Sequence, residues 1–210
     1  INTKLVNFYR GVRNDYPNLR QELDEIEAIY TANRQHFDAL KALHPDQRVE
    51  DRNEAFYYAL RDMFNDIAEQ QYSDAALYYF INKTAYSGMI RYNARGEFNV
   101  PFGRYQNLNT HILTEEHCHL LQGAEIHNTD YAEIFNLAQP NDFIFLDPPY
   151  DTDEAIKSDG FVGYQKEGWT RKDLEELKMI CDELSIRGCK IILTNNDTEF
   201  VRELFKYYNF

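Results

Sequence analysis

The sequence predicts an α/β fold in which a parallel sheet follows a mostly helical N-terminal region. Residues 143–146 (FIFL) form a continuous apolar run, as expected of a parallel strand with both faces covered. Residues 190–194 (KIILT) form a second short strand pattern, and a helical pattern lies between the two. Strand, helix and strand in this order imply a right-handed crossover and parallel pairing.

The N-terminal half has the apolar spacing of amphipathic helices. Two helices are predicted around the first two apolar stripes, and two more over residues 51–65 and 74–82, which are rich in aromatic side chains. The stripes consist of Leu5, Val6, Phe8, Tyr9 and Val12, then of Leu23, Ile26, Ile29 and Tyr30. Stripes of this kind usually form the core, so we assign no functional site to them.

The pattern changes in the middle of the chain. Between Tyr86 and Tyr105 three glycines interrupt short runs, and Phe98 and Val100 alternate around Asn99. This predicts a hairpin or an ordered loop with exposed Arg and Tyr side chains. Residues 124–127 predict a short strand.

The helix between the two strands has clear ends in the sequence. Thr170 predicts its start, with Asp173 three residues later as in a capping box, and Gly188 predicts its end. Its buried stripe is expected to comprise Leu174, Leu177, Cys181 and Leu184.

The composition is that of a globular protein, with 210 residues, 43% of them hydrophobic and 15% aromatic. No run approaches the roughly 18–20 apolar residues of a membrane span, and the start shows no signal peptide. Three widely spaced cysteines without a CxxC pair favour a reducing cytosol over a disulfide framework. The run His117-Cys118-His119 lacks further spaced ligands, so we expect no metal.

The net charge of −13 argues against nucleic-acid binding, because phosphate contacts need Lys and Arg. Residues 83–105 nevertheless carry four basic side chains and one acid, a local charge of +3. The basic residues are Lys83, Arg91, Arg95 and Arg104. From charge alone this window is also consistent with a solvated loop.

The segment with the clearest chemistry is Asp147-Pro148-Pro149-Tyr150, directly after the first buried strand. In open α/β sheets, ligands bind beyond the carboxyl ends of the strands. The prolines offer no N–H donor, so the segment presents carbonyl acceptors, one carboxylate and one aromatic ring. Such acceptors can hold the N–H bonds of a base amino group while the ring stacks on the base. The alternative is a tight turn in which Asp147 is only a cap.

Two long motifs resemble one family. Residues 142–150 (DFIFLDPPY) resemble the catalytic motif of the N6-adenine DNA methyltransferases. Residues 91–105 (RYNARGEFNVPFGRY) resemble the DNA-recognition hairpin of the branch that includes the bacterial GATC adenine methyltransferases. The match extends back to residues 86–90 and forward to 194–197 in one consistent order.

The resemblance implies a Rossmann-like class I methyltransferase core with an inserted, mainly helical recognition region that carries a β-hairpin. The implied core comprises residues 1–30 and 118–210, and the implied recognition region residues 31–117. The family's glycine-rich cofactor loop is not found in the sequence. We therefore expect an internal fragment that on its own binds the cofactor poorly.

The resemblance also implies the catalytic roles. Asp147 and the carbonyl of Pro148, followed by Pro149, would hold the target amino group, and Tyr150 would stack on the flipped adenine. The implied base pocket also contains Phe161 and Tyr164. The implied methyl donor is S-adenosylmethionine, without a metal, and its site would include Asp130 and Asp147. Without the resemblance, the simpler interpretation of Asp130 is a cap of the next helix.

Double-stranded DNA is the implied partner. Tyr86 matches an aromatic residue that wedges into the duplex, and Arg91 matches an arginine that reads a guanine, which is also the commonest specific base contact. Ser87 replaces an asparagine that is usual in close relatives. The other implied contacts are Met89 and Pro101 near thymine methyl groups, Lys83 and Tyr105 at the backbone, and Arg95. Tyr86 and Tyr105 could instead be core aromatics, and Arg91 could pair with a surface acid.

Together these features predict methyl transfer to N6 of adenine in a GATC-like site, with base flipping. Two alternatives stay open: a non-catalytic DNA-binding remnant, and methylation of an RNA adenine or a protein amide, which would not need the recognition hairpin. We expect a cytoplasmic monomer of bacterial or phage origin. Whether it works with a cognate restriction endonuclease or alone is open.

Overall fold

A computed structural model describes residues 2–152 and 169–210. The chain divides into two compact units, Ile1–Asn128 and Thr129–Phe210. No described helix combines the length and the hydrophobicity that crossing a membrane requires.

The first unit is helical, and each of the four helices predicted in it is present. Its helices are α1 (Thr3–Asn14), α2 (Tyr16–Leu43), α3 (Arg52–Phe64), α4 (Asp74–Thr84) and α5 (Glu115–Gln122). Helix α4 is the centre of the core, because Ala75 to Ile81 are all buried. A helix that is apolar on every side needs neighbours all round, and α1, α2 and α3 pack against it.

Helices α1 and α4 approach each other closely at Gly11. A methyl group at this position would lie 2.5 Å from Cβ of Ala75, which is below any normal contact distance. Because Ala75 is itself buried, the two helices can pack this closely only with hydrogen in place of a side chain.

The segment from Tyr86 to Tyr105 is an ordered loop with two isolated antiparallel bridges, Ala85 to Phe102 and Tyr92 to Phe98. Phe98, Val100 and Phe102 point into the core. Side chains of α3 and its C-cap bind the intervening backbone: the Tyr57 hydroxyl donates to the Val100 carbonyl (2.8 Å), and Asn65 bonds both backbone groups of Phe98. These bonds replace a regular strand ladder and fix the segment on the helices.

The strand predicted at residues 124–127 is wrong: these residues have no strand structure. Two arginines of α1 occupy the carbonyls that a neighbouring strand would use. Arg13 Nη1 donates to the Ala124 carbonyl (2.9 Å), and Arg10 Nη2 donates to the Ile126 carbonyl (3.1 Å).

The second unit contains the parallel pair of strands that the sequence predicts. Its elements are α6 (Tyr131–Phe135), β1 (Phe143–Leu146), α7 (Arg171–Arg187), β2 (Lys190–Leu193) and α8 (Glu199–Leu204). Phe143 pairs with Lys190, and Leu146 with Leu193. The predicted ends of α7 are confirmed: Thr170 and Asp173 form a capping box, and Gly188 adopts a left-handed φ of 95°.

The prediction that β1 is covered on both faces is wrong for the described residues. Phe143 is 63% exposed and Phe145 60%, whereas the alternate residues Ile144 and Leu146 pack against the core formed by α6, α7 and α8. The described helices cover one face of this two-stranded sheet. A short apolar run does not distinguish a strand covered on one face from a strand covered on both.

We expect Gly11→Ala to destabilise the first unit by about 1–2 kcal/mol, because the added methyl overpacks the contact with Ala75 by more than the gain in helix propensity. Urea unfolding measures this. Gly123→Ala is the matched control, because its nearest neighbour would lie at 3.8 Å and its φ is −82°. Equal stability of the two variants would contradict the close approach.

Candidate functional site

The Asp147-Pro148-Pro149-Tyr150 segment leaves the sheet at the carboxyl end of β1. Because β1 and β2 are parallel and Leu146 pairs with Leu193, the next residues, Asp147 and Thr194, lie side by side at that edge. The ladder continues for one more bond, from the Thr194 N–H to the Leu146 carbonyl (3.0 Å). This is the edge at which open α/β sheets bind ligands.

The Asp147 carboxylate faces solvent and accepts two hydrogen bonds on one oxygen. The Thr194 hydroxyl donates to Oδ1 at 2.5 Å, and the Tyr150 hydroxyl donates to the same Oδ1 at 2.9 Å. The bonds from Thr194 and then Tyr150 hold the pKa of Asp147 below its usual value. The carboxylate is therefore ionised at neutral pH and acts as an acceptor.

The far end of the segment is anchored by Asp151, whose side chain is only 5% exposed. Arg171 binds it with two bonds, Nε to Oδ1 (2.9 Å) and Nη2 to Oδ2 (3.0 Å). The Thr198 hydroxyl donates to Oδ2 at 2.7 Å. A buried carboxylate needs such partners, and here they come from the starts of α7 and α8.

Two asparagines after β2 tie the Asp151 backbone to the sheet. The Asp151 N–H donates to Asn195 Oδ1 (2.8 Å), and Asn196 Nδ2 donates to the Asp151 carbonyl (2.8 Å). Residues 147–151 are thus fixed at both ends by the residues that follow β2.

Asp130 is the N-cap of α6, and its side chain accepts the Ala132 N–H at 3.0 Å. The helix-cap interpretation is therefore confirmed. Its role at the cofactor stays a prediction. Phe161 and Tyr164 lie outside the described residues.

Beside Tyr150 lies a cavity of about 270 Å³, close to the lower end of the roughly 300–1,000 Å³ of small-molecule sites. Its lining includes Tyr150, Asp151, Thr152, Trp169 and Thr170. Asp147 does not line it and faces the open edge of the sheet.

The predicted DNA-contacting residues all belong to the first unit, and most of them face solvent. Exposed are Lys83, Tyr86, Ser87, Arg91, Arg95, Pro101 and Tyr105, whereas Met89 is half-buried against the core. Tyr86 is 55% exposed and Tyr105 41%, so neither is a core aromatic. This cluster of side chains is available to a partner.

Tyr86 is presented by a tight turn. Ser87 and Gly88 both have positive φ (54° and 62°), and the Met89 N–H donates to the Tyr86 carbonyl at 3.1 Å. Two successive positive φ values are typical of a type I′ turn, which favours Asn-Gly. Serine adopts this conformation less readily than asparagine.

Among the described residues, the partner of the Arg91 side chain is an amide and not an acid. Its Nε donates to Asn99 Oδ1 at 2.9 Å, its Nη2 lies 3.4 Å from the Asn99 carbonyl, and the Asn99 N–H donates to the Arg91 carbonyl at 3.1 Å. The guanidinium is fixed through its inner edge, and both terminal nitrogens keep donors for another acceptor.

A family model described as D12 class N6 adenine-specific DNA methyltransferase matches residues 1–210. The chain belongs to this family. It is 31% identical over 216 residues to the type II methyltransferase M.MjaIII of Methanocaldococcus jannaschii, an alignment that covers 100% of the chain and 68% of that protein.

Relatives from Escherichia coli match a shorter stretch. The DNA adenine methylase is 31% identical over 153 residues, which is 71% of the chain and 53% of that protein. The retron Ec67 DNA adenine methylase is 29% identical over 157 residues, which is 74% of the chain and 53% of that protein. The chain thus spans about half to two thirds of the length of these relatives.

Sequence reasoning missed the residues that hold the predicted ones in place. Thr194 and Asn195 belong to the family-like segment after β2 but received no role. Asp151 follows the catalytic motif directly, and a carboxylate there was a usable signal. Asn99 was noted only as the polar residue between Phe98 and Val100, and its bond to Arg91 was not predicted.

We expect Arg171→Met to destabilise the second unit by about 2–4 kcal/mol, because it removes a cation that binds the buried Asp151 carboxylate with two hydrogen bonds. Arg202→Met is the matched control. Arg202 pairs with Asp197, but both side chains are more than half exposed, so its loss should change the unfolding midpoint little. Urea unfolding compares the stability of the two variants. Similar midpoints would show that the pair of Arg171 and Asp151 does not contribute to stability.

Proposed function

We propose that this chain is the catalytic and recognition part of an S-adenosylmethionine-dependent enzyme that methylates N6 of adenine in double-stranded DNA. The observation that carries the proposal is the ionised Asp147 carboxylate, exposed at the strand edge beside a tyrosine ring. Family membership and the exposed recognition residues support it.

The amino group of adenine is a poor nucleophile, because its lone pair is delocalised into the ring. Asp147 and the Pro148 carbonyl accept its two N–H bonds and draw the nitrogen toward a tetrahedral geometry. The lone pair then points away from the ring plane, toward an electrophile. No serine, cysteine or metal is needed for this step, and orientation supplies much of the rate.

The methyl donor fits the groups at the strand edge. When bound, S-adenosylmethionine supplies a methyl group on a positively charged sulfur. The ionised Asp147 favours a cation nearby, and Asp130 has a second carboxylate oxygen left for an amino group after it caps α6. Both aspartates are exposed and belong to the same unit.

The target adenine must leave the duplex to reach Asp147. Tyr150 is 45% exposed, so part of its side chain is accessible to a stacking base. The cavity lined by Tyr150 is consistent with a base-binding site next to the motif. Phe161 and Tyr164, which lie outside the described residues, are proposed as base-pocket residues on the family resemblance alone.

Recognition is assigned to the loop between Tyr86 and Tyr105, within a recognition region of residues 31–117. Tyr86 on its tight turn wedges into the duplex, and Arg91 donates to the O6 and N7 atoms of a guanine. Lys83 and Tyr105 contact the DNA backbone, and Arg95 is a further DNA contact. Met89 and Pro101 lie near thymine methyl groups. We propose a GATC-like target.

In the full-length protein, Asp147→Ala should abolish methyl transfer to adenine while DNA binding persists, because the acceptor of the amino protons is lost. Methyl incorporation into a GATC-containing duplex and an electrophoretic binding assay measure the two properties. Asp142→Asn is the control, since it changes an exposed carboxylate before β1 that, among the described residues, accepts only the Gln139 N–H. Undiminished transfer by Asp147→Ala would refute the mechanism.

Arg91→Ala should relax discrimination at one guanine by about 1–3 kcal/mol, because a bidentate base contact is lost. Methylation rates on duplexes that carry each of the four base pairs at that position give the ratio. A uniform loss of affinity on all duplexes would identify Arg91 as a phosphate contact and contradict the assignment.

A further inference from the structure

The Asp147 carboxylate is held asymmetrically. Both the Thr194 and the Tyr150 hydroxyl donate to Oδ1, and Oδ2 accepts no hydrogen bond from any residue that the structure describes. A carboxylate with one oxygen occupied and the other open has a defined orientation and one acceptor to offer. The question is which of the two donors sets that orientation during the reaction.

Tyr150 is poorly suited to this task. Its ring is the surface on which the flipped adenine is proposed to stack, so the base bears directly on its position. Its hydroxyl lies on a loop after two prolines, and the side chain is nearly half exposed. The bond from Tyr150 can therefore lengthen or break as the base is bound.

Thr194 is placed by the sheet itself. Its N–H continues the parallel ladder to the Leu146 carbonyl, and Leu146 immediately precedes Asp147. The backbone hydrogen bond between Thr194 and Leu146 therefore fixes the Thr194 hydroxyl relative to the Asp147 carboxylate. Threonine is also stiff at χ1, because its β-carbon is branched.

The hydroxyl has one proton and two acceptors within reach. Asp147 Oδ1 lies at 2.5 Å and the Leu146 carbonyl at 3.4 Å. The shorter bond goes to the charged acceptor, which is also the stronger type of bond. The same bond is the main cause of the lowered pKa of Asp147.

We propose that Thr194 is a positioning residue for methyl transfer: its hydroxyl fixes the Asp147 carboxylate through Oδ1 and leaves Oδ2 for the target amino group. This inference rests on the proposed function and deepens it. Thr194 does not touch the reacting atoms and acts through Asp147 alone.

The test compares Thr194→Val with Thr194→Ser in the full-length protein. Valine keeps the shape and removes the donor, and serine keeps the donor and removes the methyl group. We expect Thr194→Val to lower the single-turnover rate of methyl transfer by about 10–100-fold, the cost typical of a misplaced catalytic group. Thr194→Ser should retain most of the rate, and the Kd for duplex DNA should stay the same in both variants.

The pH profile supplies a readout that a merely structural role would not move. Hydrogen bonds to the ionised form hold the pKa of Asp147 low, so activity is kept until the pH falls through that value. Without the Thr194 donor the pKa rises, and the acid limb of the rate profile should move to higher pH in Thr194→Val only.

A normal rate and an unmoved acid limb in Thr194→Val would overturn the inference. Equal impairment of the valine and serine variants would do so too, because it would indicate packing of the methyl group. Asp147→Ala distinguishes a failure of the role of Thr194 from a failure of the proposed function. If it abolishes transfer while Thr194→Val does not affect it, only the role of Thr194 fails; if it leaves transfer intact, the proposed function fails.

Discussion

The parallel pairing of β1 with β2 is the constraint on which the candidate site depends. It brings the residues after two distant strands to one edge and sets their register, so that Asp147 meets Thr194 and not a neighbour. A slip by one residue would turn the Thr194 side chain to the other face of the sheet. The same edge then supplies Asn195 and Asn196, which bind the backbone of Asp151.

The way in which residues 147–151 are anchored follows from the absence of N–H groups in the two prolines. Pro148 and Pro149 have no N–H group, so the middle of the segment cannot be held by bonds that its backbone donates. The segment is held at its two ends: at Asp147 by the hydroxyl of Thr194, which directly follows β2, and at Asp151 by Arg171, Thr198 and two asparagines. The carbonyl of Pro148 is thereby placed without accepting a hydrogen bond from any described residue, which suits an acceptor for a substrate.

The sequence predicted the parts of the fold that local chemistry decides. The capping box at Thr170, the left-handed Gly188 and the aromatic helices are confirmed, because each depends on a few neighbouring residues. The failures involve distant partners. Residues 124–127 do not form the expected strand, because their carbonyls bind arginines more than a hundred positions earlier in the chain. The apolar run of β1 does not reveal that one face of the strand is uncovered. For the same reason Thr194 and Asn99 were named without a role.

The amide that holds Arg91 bears on how an acidic chain would bind DNA in the proposed function. Because the net charge is −13, the few cations of the recognition loop must supply the attraction to phosphate groups. An acid paired with Arg91 would cancel its charge in the free protein. That acid would also have to be moved or desolvated when a guanine arrives. Asn99 fixes the guanidinium through Nε, carries no charge, and leaves the terminal nitrogens to the base. Arg104, in contrast, is paired with Glu54 through Nη2. Two arginines of one loop are thus held in different ways, and the one that keeps its full charge is the one assigned to read the sequence.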